Sequence, residues 1–311
     1  MATEQKDIVV VHDLFGTLFG LDAPTEALRQ SYPSLSPLRA HSIILDWYQC
    51  FQRDLTALSI NDSYQSASLV FKETLPRALK QAGLSTVPET ESNDPSRIFD
   101  PADESIPGPA QAKGAQRENP YPDSVLKPIM ESLQHLRPRP GFAEAFTDIY
   151  RSSSTIKGPD IQIWTATNGG PELARKLLLA AAGEQHGLDL KLRSSDSSAN
   201  GKSTGVGVFS CDEVKVSKPD PKVYAALRER LGLSKTFDQS NPDPVSLWFV
   251  ASHTWDLFAA RGAGFKTAWV SYEEFYAVPG IYGQPDIVAG DLAEAATSIL
   301  KWEQEHSSQT S

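Results

Sequence analysis

Cysteine is scarce in this chain: Cys50 and Cys211 are the only two among 311 residues. Two cysteines are too few for a disulfide framework or a cysteine-based zinc site, which excludes the small disulfide-stabilised class and fits a reducing compartment. No stretch approaches the roughly 18 apolar residues of a membrane span, and the first residues lack the cationic segment and apolar run of a secretory signal. We therefore expect a cytosolic protein with no membrane partner.

Basic residues are fewer than acidic residues in this chain. The chain has 29 lysines and arginines against 39 acidic residues, a net charge of −10, and no long basic run. Nucleic acids and anionic membranes carry the same sign of charge and are repelled by such a surface. The composition disfavours both as partners and leaves a homodimer open.

Apolar runs typical of β-strands recur along the chain. They lie at 8–12, 161–165, 247–251 and 266–270, with a weaker run at 286–289. From residue 139 onward, helical patterns alternate with these runs, and this alternation is typical of parallel sheets. The sequence predicts an α/β fold with a doubly wound parallel sheet.

About a hundred residues with helical patterns separate the first strand from the others. These patterns lie at 38–59, 62–83 and 123–136. We expect a core formed by 1–20 and 139–311, and an inserted helical cap at 21–138. Within the cap, 88–122 carry seven of the 22 prolines and few large apolar groups. Such a composition does not repay the entropy of ordering, so it predicts a flexible loop.

Residues that can do chemistry follow several predicted strands, where ligands bind in open parallel sheets. They are Asp13 after the first strand, Thr167 and Asn168 after the second, and Ser252, His253 and Asp256 after 247–251; Lys218 opens a helix. A carboxylate nucleophile is already ionised above its ordinary pKa of about 3.9, but it needs cations and donors to place it. Lys218, Thr17 and Asn168 are candidates for that task.

Four segments resemble the ordered motifs of the haloacid-dehalogenase superfamily. They read DLFGTLF from Asp13, TNGG from Thr167, KPDPKVY from Lys218 and VASHTWD from Val250. The nearest pattern is that of the L-2-haloacid dehalogenases, whose first motif is Asp, any residue, Tyr or Phe, Gly, Thr, Leu, and residues 13–18 match it. One motif alone is a weak signal, but four in order are a strong one.

Two positions differ from the phosphatases of that superfamily, which hold Mg²⁺ with additional carboxylates. Phe15 stands where they have a second Asp, and Ser252 stands where they have another carboxylate. Mg²⁺ prefers oxygen ligands that include carboxylates, so Asp13 and Asp256 beside Lys218 make a poor site. We expect no metal and no cofactor. Halide departure needs no proton, and an aromatic ring at 15 suits the wall of an apolar pocket.

The resemblance implies a two-step reaction on a small 2-halo carboxylic acid. Asp13 displaces halide from C2 to form an ester, and water then cleaves the ester to a 2-hydroxy acid. Asp256 and His253 would orient or deprotonate the water, and Lys218 would stabilise charge on Asp13. Thr17 and Asn168 would position the substrate carboxylate or Asp13, and Arg53 is the cap candidate for receiving the halide.

Other side chains have two interpretations each. Because Ala251 and His253 replace the Ser and Asn of the dehalogenase pattern, His253 is either a base or a structural donor. Trp255 is either core or pocket wall, and Tyr224 either packs or acts near Lys218. Thr167 and Ser252 are candidates for substrate contact. His12 is predicted to be a buried packing residue.

Two other functions stay open at this point. One is a different hydrolase of the same superfamily, either a phosphatase with a depleted metal site or an enzyme acting on another carbon substrate. The other is a catalytically idle member that binds a small acid or a protein. Magnesium dependence separates the phosphatase from the rest.

Overall fold

The computed structural model describes residues 6–92, 119–150, 159–186, 191–192 and 205–307. The chain divides into two compact units, which we name the core unit (Met1–Gly20, Ser59–Tyr64 and Pro138–Ser311) and the helical unit (Leu21–Leu58 and Gln65–Arg137). The expected cap boundaries differ from this division mainly at 59–64. That segment is held in the core unit because Ser59 Oγ accepts a hydrogen bond from Ser217 N at 2.9 Å and Tyr64 donates one to Asp212 Oδ1 at 2.8 Å.

The core unit contains a sheet of parallel strands. The strands are β1 (Ile8–Asp13), β2 (Ile161–Thr167), β3 (Lys191–Leu192), β4 (Gly205–Ser210), β5 (Ser246–Ala251), β6 (Lys266–Val270) and β7 (Ile287–Ala289). Their order across the sheet is β3-β4-β2-β1-β5-β6-β7. The predicted α/β fold with a doubly wound parallel sheet is confirmed.

The first strand occupies the centre of this sheet. All six residues of β1 are buried, and it pairs with β2 on one side and β5 on the other. Helices cover both faces of a parallel sheet, so a central strand must be apolar on both, which explains the unbroken IVVV run. The position places Asp13, its last residue, in the middle of the carboxyl edge.

Helices alternate with the strands of the core unit as the sequence predicts, and the short helix at 279–282 is an additional one. They are Pro171–His186, Pro221–Arg230, Thr254–Gly262, Pro279–Tyr282 and Leu292–Ser307, with a π-helical segment at Glu144–Ile149. Asp220 caps the second of them by accepting from Lys222 N at 2.9 Å, and Pro221 occupies its first turn. This cap fixes the start of the helix at Pro221, three residues after Lys218.

The helical unit contains the helices Asp22–Ser31, Pro37–Ile60, Ala67–Gln81 and Asp123–Ser132. The last two residues of Pro37–Ile60 belong to the core unit, because the helical unit includes this helix only as far as Leu58. Aromatic side chains hold two of these helices together: the rings of Phe51 and Phe71 are stacked with centroids 3.6 Å apart, and Trp47 Nε1 donates to Phe71 O at 3.1 Å. No helix among the described residues is long and apolar enough to cross a membrane.

The two ends of the predicted loop 88–122 are packed. Glu89 is buried and accepts a hydrogen bond from Ser34 N at 2.9 Å, while the buried Tyr121 donates to Leu84 O at 2.8 Å. Each end thus supplies a side chain that finds a hydrogen-bond partner, and the flexibility of the loop stays a prediction. The rest of the predicted loop, 93–118, lies outside the described residues.

Candidate active site

Asp13 is held at both carboxylate oxygens. Lys218 Nζ donates to Oδ1 at 2.6 Å, and Thr17 Oγ1 donates to Oδ2 at 2.8 Å. Burial alone would raise the pKa of Asp13, but the Lys218 ammonium and the nearby His253 bring it well below the ordinary value. The carboxylate is thus ionised, oriented and buried at the carboxyl end of β1.

Lys218 joins two carboxylates. Its ammonium also donates to Asp256 Oδ2 at 2.6 Å and to Ala166 O at 3.1 Å, so all three of its protons are used. Burial opposes the charge, yet Asp13 and Asp256 raise the pKa of Lys218 above its ordinary value. The lysine is a fixed cation at the centre of the site.

Asp256 lies in the first turn of the helix Thr254–Gly262 and is completely buried. Tyr224 donates its phenolic hydrogen to Oδ1, so with Lys218 on Oδ2 both oxygens have donors. Burial raises the pKa of Asp256, with Lys218 acting in the opposite direction. Tyr224 is fully buried here, and its hydroxyl contacts the site through Asp256.

His253 lies between two carboxylates. Its Nε2 is 3.1 Å from Glu273 Oε2, and its Nδ1 is 3.6 Å from Asp13 Oδ2. Burial alone would lower the pKa of this imidazole, but Asp13 and Glu273 raise it to about 10. His253 is therefore an imidazolium at neutral pH, which favours the donor interpretation over the base while Asp13 is charged.

Glu273 is itself paired with Arg139. Arg139 donates to Glu273 Oε1 at 2.6 Å, and its Nε donates to Gly16 O at 3.3 Å. Gly16 has a φ of +84°, and a Cβ there would lie 2.7 Å from Glu273 Oε2 and 2.9 Å from His253 Cε1. The glycine of the first motif is thus required both by its backbone conformation and by the close approach of these two side chains.

Asn168 and Thr167 hold backbone groups. Asn168 Oδ1 accepts from Lys218 N at 2.9 Å, and Thr167 Oγ1 accepts from Gly169 N at 2.9 Å. Asn168 therefore holds the backbone of Lys218, a contact that no motif in the sequence predicts. Thr167 is the last residue of β2 and Asn168 follows it, beside the carboxyl end of β1.

Phe15 and Ser252 also lie at this edge. Phe15 is buried, and a Cβ at Gly169 would come within 2.7 Å of its ring. Ser252 N donates to Thr17 Oγ1 at 2.9 Å, and the two hydroxyl oxygens are 3.2 Å apart. Ser252 thus fixes the threonine that holds Asp13.

Trp255 and His12 are each packed against another ring. The half-buried Trp255 stacks on the imidazole of His253 with ring centroids 5.4 Å apart. His12 is buried as predicted, with Nε2 3.2 Å from the hydroxyl oxygen of Tyr150. Burial lowers the pKa of His12 to about 4, so it is neutral.

Arg53 belongs to the helical unit. Its side chain is 60% exposed and forms an ion pair with Asp54 at 2.9 Å. It borders a cavity of about 570 Å³ together with Arg39 and Gln81 of the same unit. Its assignment as the halide-receiving arginine stays a prediction.

Sequence reasoning missed Glu273 and Arg139. Glu273 follows β6, whose apolar run was predicted, so a search of the carboxyl end of that strand would have found it. Arg139 donates to a residue 134 positions away, and no local pattern predicts that pairing.

The carboxylate oxygens of this site are already occupied by hydrogen-bond donors, so they do not suit a hard cation. Lys218 occupies the space between Asp13 and Asp256 with its own charge, and Tyr224 takes the remaining oxygen of Asp256. Among the described residues, no group of three or more His, Cys, Asp and Glu side chains is arranged to hold a metal ion. The side chains of this site do not fit Mg²⁺.

Comparison with known proteins points to one group. No family model matches the chain. A curated (S)-2-haloacid dehalogenase from Pseudomonas sp. (strain YL) is 27% identical over 126 residues, which are 40% of this chain and 43% of that protein. The match thus spans less than half the length of that relative. The (S)-2-haloacid dehalogenase H-109 from Pseudomonas putida is 22% identical over 281 residues, 87% of this chain and 90% of that protein.

A solved structure agrees in fold over nearly its whole length. It is the L-2-haloacid dehalogenase from Xanthobacter autotrophicus with chloropropionic acid covalently bound, with a TM-score of 0.59 and 20% identity, covering 94% of this chain and 98% of that one. The resemblance to the L-2-haloacid dehalogenases that the motifs predicted is confirmed.

Proposed function

We propose that this chain is a hydrolase that removes halide from a small 2-halo carboxylic acid. The observation that carries the proposal is the buried, ionised Asp13, held by Lys218 and Thr17. Phe15 stands two residues after Asp13, where a phosphatase needs a carboxylic acid to protonate its leaving group. The curated relatives are 2-haloacid dehalogenases, and one solved neighbour carries chloropropionic acid as a covalent adduct.

In the first step, an oxygen of Asp13 attacks C2 of the substrate. A bond forms between that oxygen and carbon, and the carbon–halogen bond breaks with its electron pair leaving on the halide. Halide is a weak base, so no acid is required. Lys218 and Thr17 hold the carboxylate in one orientation, which lowers the entropic cost of reaching the attack geometry.

In the second step, water attacks the ester carbonyl carbon of Asp13 and the 2-hydroxy acid departs. The Lys218 ammonium lies where it can stabilise negative charge that develops on the former carboxylate oxygen. This step needs a group that takes a proton from water. Asp256 is fully buried with donors on both oxygens, so we assign it the task of positioning Lys218 rather than that of the base.

The remaining roles belong to the same proposal. Asn168 positions Lys218, Thr167 and Ser252 shape the loops beside Asp13, and Phe15 and Trp255 form apolar wall for the substrate. Tyr224 positions Asp256. We place the activity in the cytosol and require neither metal nor cofactor.

The decisive experiment measures halide release from a panel of 2-halo acids, with intact-protein mass spectrometry on quenched samples. Wild type is expected to release halide and to show an adduct with the mass of the substrate minus the halogen. Asp13→Asn should do neither. Halide release by Asp13→Asn at the wild-type rate would contradict the proposal, and turnover of a phosphate monoester that depends on Mg²⁺ would favour the phosphatase instead.

A further inference from the structure

The two ring nitrogens of His253 face different carboxylates. Nε2 faces Glu273 at 3.1 Å, and Nδ1 faces Asp13 at 3.6 Å, within strong electrostatic reach. The imidazole is only 4% exposed. Asp13 loses its negative charge when it becomes an ester in the proposed reaction, whereas Glu273 keeps its charge.

We propose that Glu273 is a positioning residue that makes His253 the base of the second step: ester formation at Asp13 releases the proton of His253, and Nδ1 then accepts a proton from the attacking water. This inference rests on the proposed function, because it needs the ester at Asp13. Glu273 acts through His253 and does not contact the substrate.

The charges around the imidazole explain the timing. Before the reaction, Asp13 and Glu273 together outweigh burial and keep His253 protonated. The ester of Asp13 carries no charge, so only Glu273 remains to hold the proton. Glu273 shares its charge with Arg139 at 2.6 Å, and Lys218 binds the other oxygen of Asp13. Burial then favours the neutral imidazole.

The hydrogen bond to Glu273 also selects the tautomer. A carboxylate accepts the proton on Nε2, so the neutral ring carries its lone pair on Nδ1, the nitrogen that faces Asp13. The adjacent carboxylate Glu274 does not compete for the ring, because it accepts from Thr254 N at 2.9 Å and Thr254 Oγ1 at 2.8 Å.

The protons balance over the cycle. Ester formation releases halide, and the imidazolium then loses one proton to solvent. Water adds its oxygen to the ester carbonyl carbon and gives one proton to Nδ1, restoring the imidazolium. The tetrahedral intermediate expels the alkoxide, which takes the proton of the newly added hydroxyl group and leaves Asp13 as a carboxylate. The sum is halo acid plus water giving hydroxy acid, halide and one proton.

The first test needs no turnover. Asp13→Asn has an uncharged side chain of nearly the same shape and stands in for the ester, and NMR of ¹⁵N-labelled histidine reads the pKa of His253 directly. We expect that pKa to fall by at least about one unit in Asp13→Asn relative to wild type. The imidazole resonances of the exposed His306 should be the same in both proteins and serve as the internal control. An unchanged His253 pKa would overturn the inference and leave the proposed function standing.

The second test separates the two chemical steps in a single turnover. In Glu273→Gln, we expect the halide burst within about twofold of wild type, ester hydrolysis slower by at least about tenfold, and the pH inflection of hydrolysis moved to lower pH. Glu274→Gln is the matched control and should keep the wild-type inflection. Equal slowing of both steps, or an unmoved inflection, would contradict the inference, whereas no burst in wild type would contradict the proposed function itself.

A half-buried Arg139 without its partner can destabilise Glu273→Gln. The double variant Arg139→Gln, Glu273→Gln removes both charges and is measured in parallel, with the melting temperature of each protein. The same accumulation of ester is expected in the double variant. Rapid ester hydrolysis in a folded double variant would overturn the assignment of Glu273.

Discussion

Lys218 Nζ lies 2.6 Å from Asp13 Oδ1, and water has almost no access to either side chain, since they are 1% and 8% exposed. Lys218→Met keeps most of the volume but removes the charge between Asp13 and Asp256. We expect loss of turnover and a decrease of about 3–5 kcal/mol in the free energy of unfolding at neutral pH, because the buried Asp256 loses its cation and Asp13 keeps only His253, whose Nδ1 is 3.6 Å away. Urea unfolding measures the effect. The exposed Lys222 provides the control Lys222→Met, and an active, fully stable Lys218→Met protein would contradict the role of this ion pair.

The origin of the product oxygen tests the covalent step. In a single turnover in ¹⁸O-water with enzyme in excess, we expect product that carries mainly unlabelled oxygen, because that oxygen comes from Asp13. The label should then appear in the proteolytic peptide that contains Asp13. Mass spectrometry reads both. Label in the product of the first turnover would mean that water attacks the substrate directly.

Chelation tests the proposal that the site works without a metal. Lys218 and Tyr224 occupy the oxygens of Asp256 that a divalent cation would use. We expect turnover to be the same with and without EDTA, and added Mg²⁺ to give no stimulation. Loss of activity on chelation that Mg²⁺ restores would show that a cation displaces the lysine.

The stability of the protein should depend on pH through His253. The pKa of this side chain is about 10 in the folded protein against an ordinary 6.5, so the folded state holds the proton more tightly. The resulting stabilisation is fully present below pH 6.5 and is lost as the pH rises through 10. We expect His253→Gln to be less stable than wild type by a few kcal/mol, roughly, at pH 6 and by much less at pH 10. Urea unfolding at both pH values checks this, and a difference independent of pH would refute it.

The predicted loop in the helical unit should contribute less to stability than the packed residue Tyr121 at its end. Composition alone predicts that replacing 95–116 with a short glycine–serine linker changes the melting temperature by no more than about 2 °C, because few apolar groups are removed. By contrast, Tyr121→Ala removes a buried ring and its hydrogen bond to Leu84 O, and should cost about 3 kcal/mol. Calorimetry compares the two. A large effect of the linker would show that the segment packs.

Sequence reasoning found the fold because a buried parallel strand has a strong local signature. Residues 8–11 are apolar at every position, as burial on both faces requires. The strand Lys191–Leu192 has only two residues and offers no periodicity to detect. The helix Asp22–Ser31 was not among the predicted patterns; its Pro24 lies in the first turn, where proline is tolerated.

The candidate site was predictable where residues follow strands. Asp13, Asn168 and His253 come together because parallel strands share one carboxyl edge. The state of His253 was not predictable from the motif that contains it. Its charge depends on Glu273, and the charge of Glu273 is in turn balanced by Arg139, a residue far away in the chain.

The central position of β1 has a consequence for synthesis of the chain. Ile8 pairs with Ile161 on one side and with Ser246 on the other, so the ribosome makes the middle strand first and its neighbours much later. At typical elongation rates the gap before β2 emerges is on the order of ten seconds. The helical unit, which ends at Arg137, is complete in the nascent chain before β1 meets either neighbour. During that interval the IVVV segment is an exposed apolar strand, and chaperone capture of ribosome-bound chains should be greatest before residue 161 and decline once β2 and β5 have left the tunnel.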